Sequence, residues 1–161
     1  MHGSAADSLI QAKAFQRALL ELLPLVEFRE RELAAAYGIS LTQCLALRLW
    51  AEERALSVND LAARLYLDKS TASRVASGLE TKGYLVRTRD RQDGRVVRLE
   101  PTPAGHRLRG RIEDDMALVH AELLSDFDPE VRSALTRMIL RVVGSFSARV
   151  RASRGTCRVV G

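Results

Sequence analysis

Residues 57–101 read SVNDLAARLYLDKSTASRVASGLETKGYLVRTRDRQDGRVVRLEP. Ser57 is followed three positions on by Asp60, a loose capping box with Asp in place of Glu or Gln. Val58, Leu61, Ala62 and Leu65 then recur at helical spacing, which predicts a helix over residues 57–66. Leu67–Lys69 is a turn, and either Asp68 or Ser70 caps the next helix, residues 70–82. Val75 and Leu79 anchor that helix inward, with Ala72 assisting. Its other face carries Ser70, Thr71, Ser73, Arg74 and Ser77, with Lys69 just before. Ser and Thr are mediocre helix formers. A stripe of short hydroxyls and one Arg suits close approach to a DNA groove, where hydroxyls bond phosphates or bases and Arg reads guanine or grips phosphate. An ordinary solvated polar face is the other reading. Gly83 ends the helix.

Residues 84–90 and 96–100 are strand-like, and the Asp-Gly of the intervening RQDGR marks a hairpin turn. Arg87, Arg89, Arg91, Arg95 and Arg98 crowd onto this ribbon, and a polyphosphate partner would relieve their mutual repulsion. Asp93 and Arg95 flank Gly94, placed to pair across the tip. That leaves an arginine able to enter a narrow minor groove. A hairpin without a ligand is the alternative.

The charge follows the same segment. Residues 64–111 hold 12 Lys/Arg against 5 Asp/Glu, residues 1–63 hold 6 against 8, and residues 112–161 hold 7 against 7. The whole net charge of +5 therefore belongs to the centre, which points to a polyanionic partner. A length of 161 residues is one domain on the usual prior and can bury a core without staples. Aromatics are only 5%, and Ala, Leu and Arg are abundant, which favours helix. Cys44 and Cys157 are too few and too far apart for a disulfide framework. No signal peptide or membrane span is evident, so a cytoplasmic, mainly helical protein is expected.

The flanks read as helices. Leu9, Ala12, Leu19, Leu22, Leu23, Val26, Leu33 and Tyr37 stripe residues 7–36, and Pro24 predicts a kink or two segments there. Residues 41–53 form the next helix, with Leu41, Leu45, Leu49 and Trp50 as its buried face. Cys44 beside that face is a small buried apolar residue or, as the sharper alternative, an oxidation-sensing thiol, which needs access and a lowered pKa. Thr102 followed by Pro103 caps a helix running to residue 125. Its His106, like His120, lacks a Cys/His partner cluster and reads as solvated or hydrogen-bonded rather than as a metal ligand. Val131, Leu135, Met138, Ile139, Val142, Val143, Phe146 and Val150 stripe a last helix, residues 129–152. Apolar stripes at both ends of the chain exceed what a small DNA-binding core needs; pairing of two copies is one explanation, and packing within the chain is the other.

The order and spacing of DLAARLYLDKSTASRVASGLETKGYLVRTRDRQDGRVVRLEPTPAGHRL resemble the MarR family of winged helix-turn-helix transcriptional regulators. The LA..L core, the ST..R start, the L.TKGYLVR exit, the D.R wing tip and the L.PT.AG run carry the likeness, densest over about 50 residues. The resemblance implies a mainly α fold with a small β-hairpin wing. It divides the chain into an N-terminal dimerisation helix region (residues 1–40), a winged DNA-binding domain (41–103) and C-terminal dimerisation helices with a tail (104–161). It implies a homodimer on a pseudo-palindromic DNA operator, with Ser70, Thr71, Ser73 and Arg74 in the major groove. Arg95 then enters the minor groove braced by Asp93, and Lys69, Arg87, Arg89 and Arg91 meet phosphates. A repressor released by a small amphipathic or phenolic ligand is the implied regulation, and a thiol-based redox response through Cys44 is the variant. Gly78, mid-helix where a larger residue is common, departs from the pattern.

Neither a nucleophile–base pair, nor a Gly-rich phosphate loop, nor a metal-ligand cluster is present in the sequence, so an enzyme is not expected and no cofactor is implied. A nonspecific architectural binder or a protein-interaction module remains as a different class.

Overall fold

The computed structural model describes residues 5–51, 55–89 and 96–153. The elements run α1 (Ala5–Ala36), α2 (Leu41–Leu49), α3 (Val58–Leu65), α4 (Lys69–Thr81), β1 (Leu85–Arg89), β2 (Val97–Pro101), α5 (Pro103–Ser125) and α6 (Pro129–Ser153). The chain divides into two compact units, one ending at Met116 and one beginning at Ala117.

The first unit holds the core. Leu47 of α2, Leu56 of the following link, Leu61 of α3, Leu79 of α4, Leu85 of β1, Leu99 of β2 and Ile112 of α5 are all essentially inaccessible. Each buried aliphatic side chain of this size contributes about 1.5–3 kcal/mol, so one small nucleus fixes α2 to α5 and the hairpin together. Three helix starts are chemically specified. Ser40 and Gln43 form a full capping box at α2, and Ser57 and Asp60 form another at α3. Asp68 caps α4 by accepting the Thr71 amide at 2.8 Å. Gly83 at φ +74° follows α4, where the left-handed region favours glycine.

β1 and β2 pair antiparallel, with Leu85 opposite Pro101 and Arg89 opposite Val97. The link between α2 and α3 joins them: Leu56 exchanges backbone hydrogen bonds with Leu99 at 3.1 and 2.7 Å. Trp50 Nε1 donates to the same Leu99 carbonyl at 3.2 Å. Thr102 then ties the ribbon to α5. Its hydroxyl donates to the Gly83 carbonyl at 2.7 Å and accepts the Gly105 amide at 3.0 Å.

Two expectations need correction. The buried face of α2 is Cys44, Ala46 and Leu47 together with Trp50, whereas Leu41 and Leu49 are half-buried and Leu45 is 38% exposed. α2 packs against α1, α4 and α3, and Cys44, Ala46 and Leu47 are the side chains that enter the shared core. The helix also ends at Leu49, with Trp50 as C-cap. Pro24 does not divide α1, which runs as one helix from Ala5 to Ala36. Pro24 removes a donor to the Leu20 carbonyl, but Leu20 is 64% exposed, so water can take that bond and the helix continues.

Outside the core the helices carry unburied apolar faces. On α1, Leu9, Ile10, Leu20, Leu23, Leu25 and Phe28 are each more than half exposed. In the second unit, Leu118, Leu123, Met138, Ile139, Leu140 and Val143 are likewise exposed.

Candidate nucleic-acid interface

α4 turns Ala72, Val75, Ala76 and Leu79 into the core. The opposite face leaves Lys69, Ser70, Arg74 and Ser77 exposed, with Thr71 and Ser73 half-exposed at its margin. These are the side chains the sequence grouped as a groove-facing stripe, and the structure brings them together on one side of one helix. Its N-terminal turn, where unpaired N–H groups and the helix dipole favour anions, carries the first of them.

That turn is wired through Asp68. The Ser70 hydroxyl donates to Asp68 Oδ1 at 2.5 Å, and the Thr71 hydroxyl donates to Asp68 Oδ2 at 2.7 Å. The Thr71 oxygen in turn accepts from Arg74 Nη2 at 3.0 Å. The hydroxyls of Ser70 and Thr71 and the Thr71 amide hold the Asp68 carboxyl well below the usual carboxylate range. The sequence left open whether Asp68 or Ser70 was the cap and did not foresee that Asp68 would engage both hydroxyls.

α4 sits close to its neighbours. A Cβ on Gly78 would lie 2.3 Å from Gln43 Nε2, the side chain that completes the α2 capping box. The absent side chain thus lets α4 seat against the start of α2, which accounts for a glycine mid-helix. Lys82, the C-cap of α4, reaches the Gly38 carbonyl at 2.7 Å, a link no sequence pattern signalled.

The hairpin residues divide. Arg87 is held by α4: Nε meets Glu80 Oε2 at 2.9 Å and Nη2 meets Ser77 Oγ at 3.0 Å. These bonds brace β1 on α4, so a phosphate contact by Arg87 would share a guanidinium already occupied. Arg89 is exposed at the end of β1. Arg98 on β2 lies 3.8 Å from Asp60 Oδ2. Arg91, Asp93 and Arg95 lie outside the described residues.

Cys44 lacks what an oxidation sensor needs. It is fully buried, and burial pushes its thiol pKa up despite the neighbouring Arg48. Access and thiolate character are both missing, so its place in the α2 core is structural. Behind it, Arg48 pairs with Glu30 of α1 at 2.9 Å, largely out of solvent. Arg109 of α5 pairs with Glu113 at 2.8 Å. Tyr37 at the end of α1 donates to Asp115 of α5, and Arg111 stacks over its ring at 5.1 Å. Asp115 is the main cause of a raised Tyr37 pKa. No helix among the described residues is long and apolar enough to cross a membrane, and no group of three or more His, Cys, Asp or Glu among them could hold a metal ion.

Comparison with known proteins agrees with this geometry. Residues 37–96 match the family model described as MarR family. The chain is similar to the HTH-type transcriptional regulator TtmR of Methylorubrum extorquens, 36% identical over 83 residues, covering 52% of this chain and 43% of that one. It is similar to the HTH-type transcriptional regulator SarZ of Staphylococcus saprophyticus, 28% identical over 62% of this chain and 65% of that one. The chain thus spans about half to two thirds of the length of these relatives. Among solved structures, a MarR family protein from Bacillus stearothermophilus aligns over 90% of this chain and 99% of its own, with a TM-score of 0.75 at 23% identity. A MarR transcriptional regulator from Methanosarcina mazei Go1 aligns over 86% of this chain and 99% of its own, with a TM-score of 0.74 at 24% identity. The matched segment runs from the end of α1 through β1, and the likeness of fold extends over most of the chain: residues 37–96 are similar to the MarR family, and the chain shares the fold of its solved members.

Proposed function

We propose that the chain is a sequence-specific transcriptional regulator that binds double-stranded DNA as a homodimer. The observation that carries this reading is the outward face of α4, where Lys69, Ser70, Thr71, Ser73 and Arg74 gather at a helix N-terminus while the opposite face is locked into the core. Small polar side chains admit the helix to a major groove, and Arg74 has the reach to contact a base edge or a phosphate. Arg89, exposed at the end of β1, extends the basic surface; contacts of Arg91 with phosphate and of Arg95, braced by Asp93, with the flanking minor groove are part of the same proposal.

The homodimer rests on the unburied apolar faces of α1 and α6, whose exposure is far beyond scattered surface hydrophobics. A two-fold axis would bury the same faces of both copies and present two α4 helices to successive grooves, about 34 Å apart. Residues 41–103 are then the DNA-binding domain, and residues 1–40 and 104–161 the pairing regions. In this reading the dimer represses by occupying a pseudo-palindromic operator, and a small amphipathic or phenolic molecule relieves it.

Selection of bound duplexes from random DNA tests the proposal. The expected result is a pseudo-palindrome with half-sites one helical turn apart, about 10 base pairs. Recovery of binding with no enriched sequence would favour a nonspecific architectural binder instead.

A further inference from the structure

We propose that Asp68 is a specificity-determining residue: by taking the hydroxyl protons of Ser70 and Thr71, it leaves the exposed Ser70 oxygen able only to accept, so that Ser70 reads a base amino group, adenine N6 or cytosine N4. This rests on the DNA-binding reading of α4 and narrows what that helix can recognise.

A hydroxyl has one donor and two acceptor lone pairs, and an ionised carboxylate only accepts. The direction of the bonds at 2.5 and 2.7 Å is therefore forced: Ser70 and Thr71 donate and Asp68 accepts. Asp68 remains ionised, because its donors hold its carboxyl well below the usual range. The Thr71 oxygen has also taken an N–H from Arg74 at 3.0 Å, which makes Thr71 a positioning residue that connects the carboxylate to the guanidinium. Ser70 is the exposed hydroxyl of the pair, and its remaining valences are lone pairs.

The chemistry of DNA then sorts the possible partners. Phosphate oxygens, guanine O6 and N7, and thymine O4 are acceptors and offer Ser70 nothing. In the major groove the donors are adenine N6 and cytosine N4. Arg74 is the complementary half: a donor-only group held near an acceptor-only group on the same helix face, suited to guanine O6 and N7. Asp68 also places a negative charge beside the groove, which weakens contacts that depend on phosphate attraction alone.

The test uses the full chain and three variants, Asp68→Ala, Ser70→Ala and the double variant, each checked for wild-type helicity. Asparagine would not serve, because Ser70 and the Thr71 amide donate to the same Asp68 oxygen, which an asparagine cap would retain. Alanine removes both oxygens, so the Ser70 hydroxyl can turn its proton to the groove; the lost cap weakens the helix start and acts on every duplex alike. Binding is measured to the selected duplex and to all its single-base variants. For wild type, one position per half-site should favour adenine or cytosine on the contacted strand over guanine or thymine, by about tenfold. Ser70→Ala should flatten that position alone. Asp68→Ala should move its preference toward guanine or thymine, and the double variant should lose the shift. If Asp68→Ala changes affinity equally for every duplex and leaves each base preference as in wild type, Asp68 is a cap only and the proposal is overturned. If wild type enriches no sequence at all, the DNA-binding reading fails first and the proposal falls with it.

Discussion

A Cβ on Gly105 would meet the Tyr84 backbone carbonyl oxygen at 2.2 Å. That oxygen also accepts the Thr102 amide at 3.1 Å, so it is not free to move. Gly105→Ala should therefore destabilise the protein by about 2–3 kcal/mol, at the upper end of overpacking costs, and a denaturant midpoint will show it. An unchanged midpoint would mean that the junction between the ribbon and α5 is more compliant than its hydrogen bonds suggest. Asp60 makes a second residue-scale prediction. Its carboxyl is held below the usual range chiefly by the Ser57 hydroxyl, then by the Ser57 amide. A depressed folded pKa contributes stability that is present above the unfolded value near ~3.9 and is lost as pH falls toward the folded one. Wild type should therefore lose stability below about pH 4, and Asp60→Asn should lose less over the same range; parallel curves would exclude Asp60 as a source. At this scale the sequence was legible where a cap stands at its usual spacing, as with Ser57 and Thr102. It was less so at Asp68, where a carboxylate meets two hydroxyls and an amide. Tyr66, a non-glycine residue at φ +57°, carried no sequence signal, because a left-handed C-cap is set by the close turn into α4.

Among the elements, α3, α4 and the ribbon were readable from the 57–101 segment because capping residues, apolar spacing and turn residues agree there. The inward register of α2 was not. Leucines at positions 41, 45 and 49 make the more apolar stripe, yet the helix turns Cys44 and Leu47 inward, into the core it shares with α1, α3 and α4. The Leu56–Leu99 bridge escaped for a related reason: one pair of backbone hydrogen bonds between distant residues leaves no periodicity. The Arg87 brace was missed because an arginine between other arginines looks like part of a charge run, whereas its partners Ser77 and Glu80 are on another element. The core nucleus itself makes a direct prediction. Leu79 is fully buried between α4 and its neighbours, so Leu79→Ala should cost about 2–5 kcal/mol in chemical denaturation. A cost below ~1 kcal/mol would mean that the site collapses around the cavity.

At the scale of the whole molecule, the apolar stripes of the end helices were visible in the sequence, and the structure leaves them uncovered within one chain. If two copies bury them, Ile139→Asp should shift the protein from dimer to monomer in sedimentation equilibrium while leaving the helicity of the winged segment in place. A wild-type chain that sediments as a monomer at micromolar concentration would remove the pairing argument. What a dimer is for depends on α4. The most direct measurement is equilibrium binding of the full chain, wild type and Arg74→Ala, to a selected duplex and a random duplex between 50 and 200 mM salt. The account predicts that wild type prefers the selected duplex, that its affinity falls ~10³–10⁵ across that range if six to ten phosphates are neutralised, and that Arg74→Ala loses about 5–150-fold of the preference. Salt-independent binding, or an Arg74→Ala variant that discriminates as well as wild type, would contradict it.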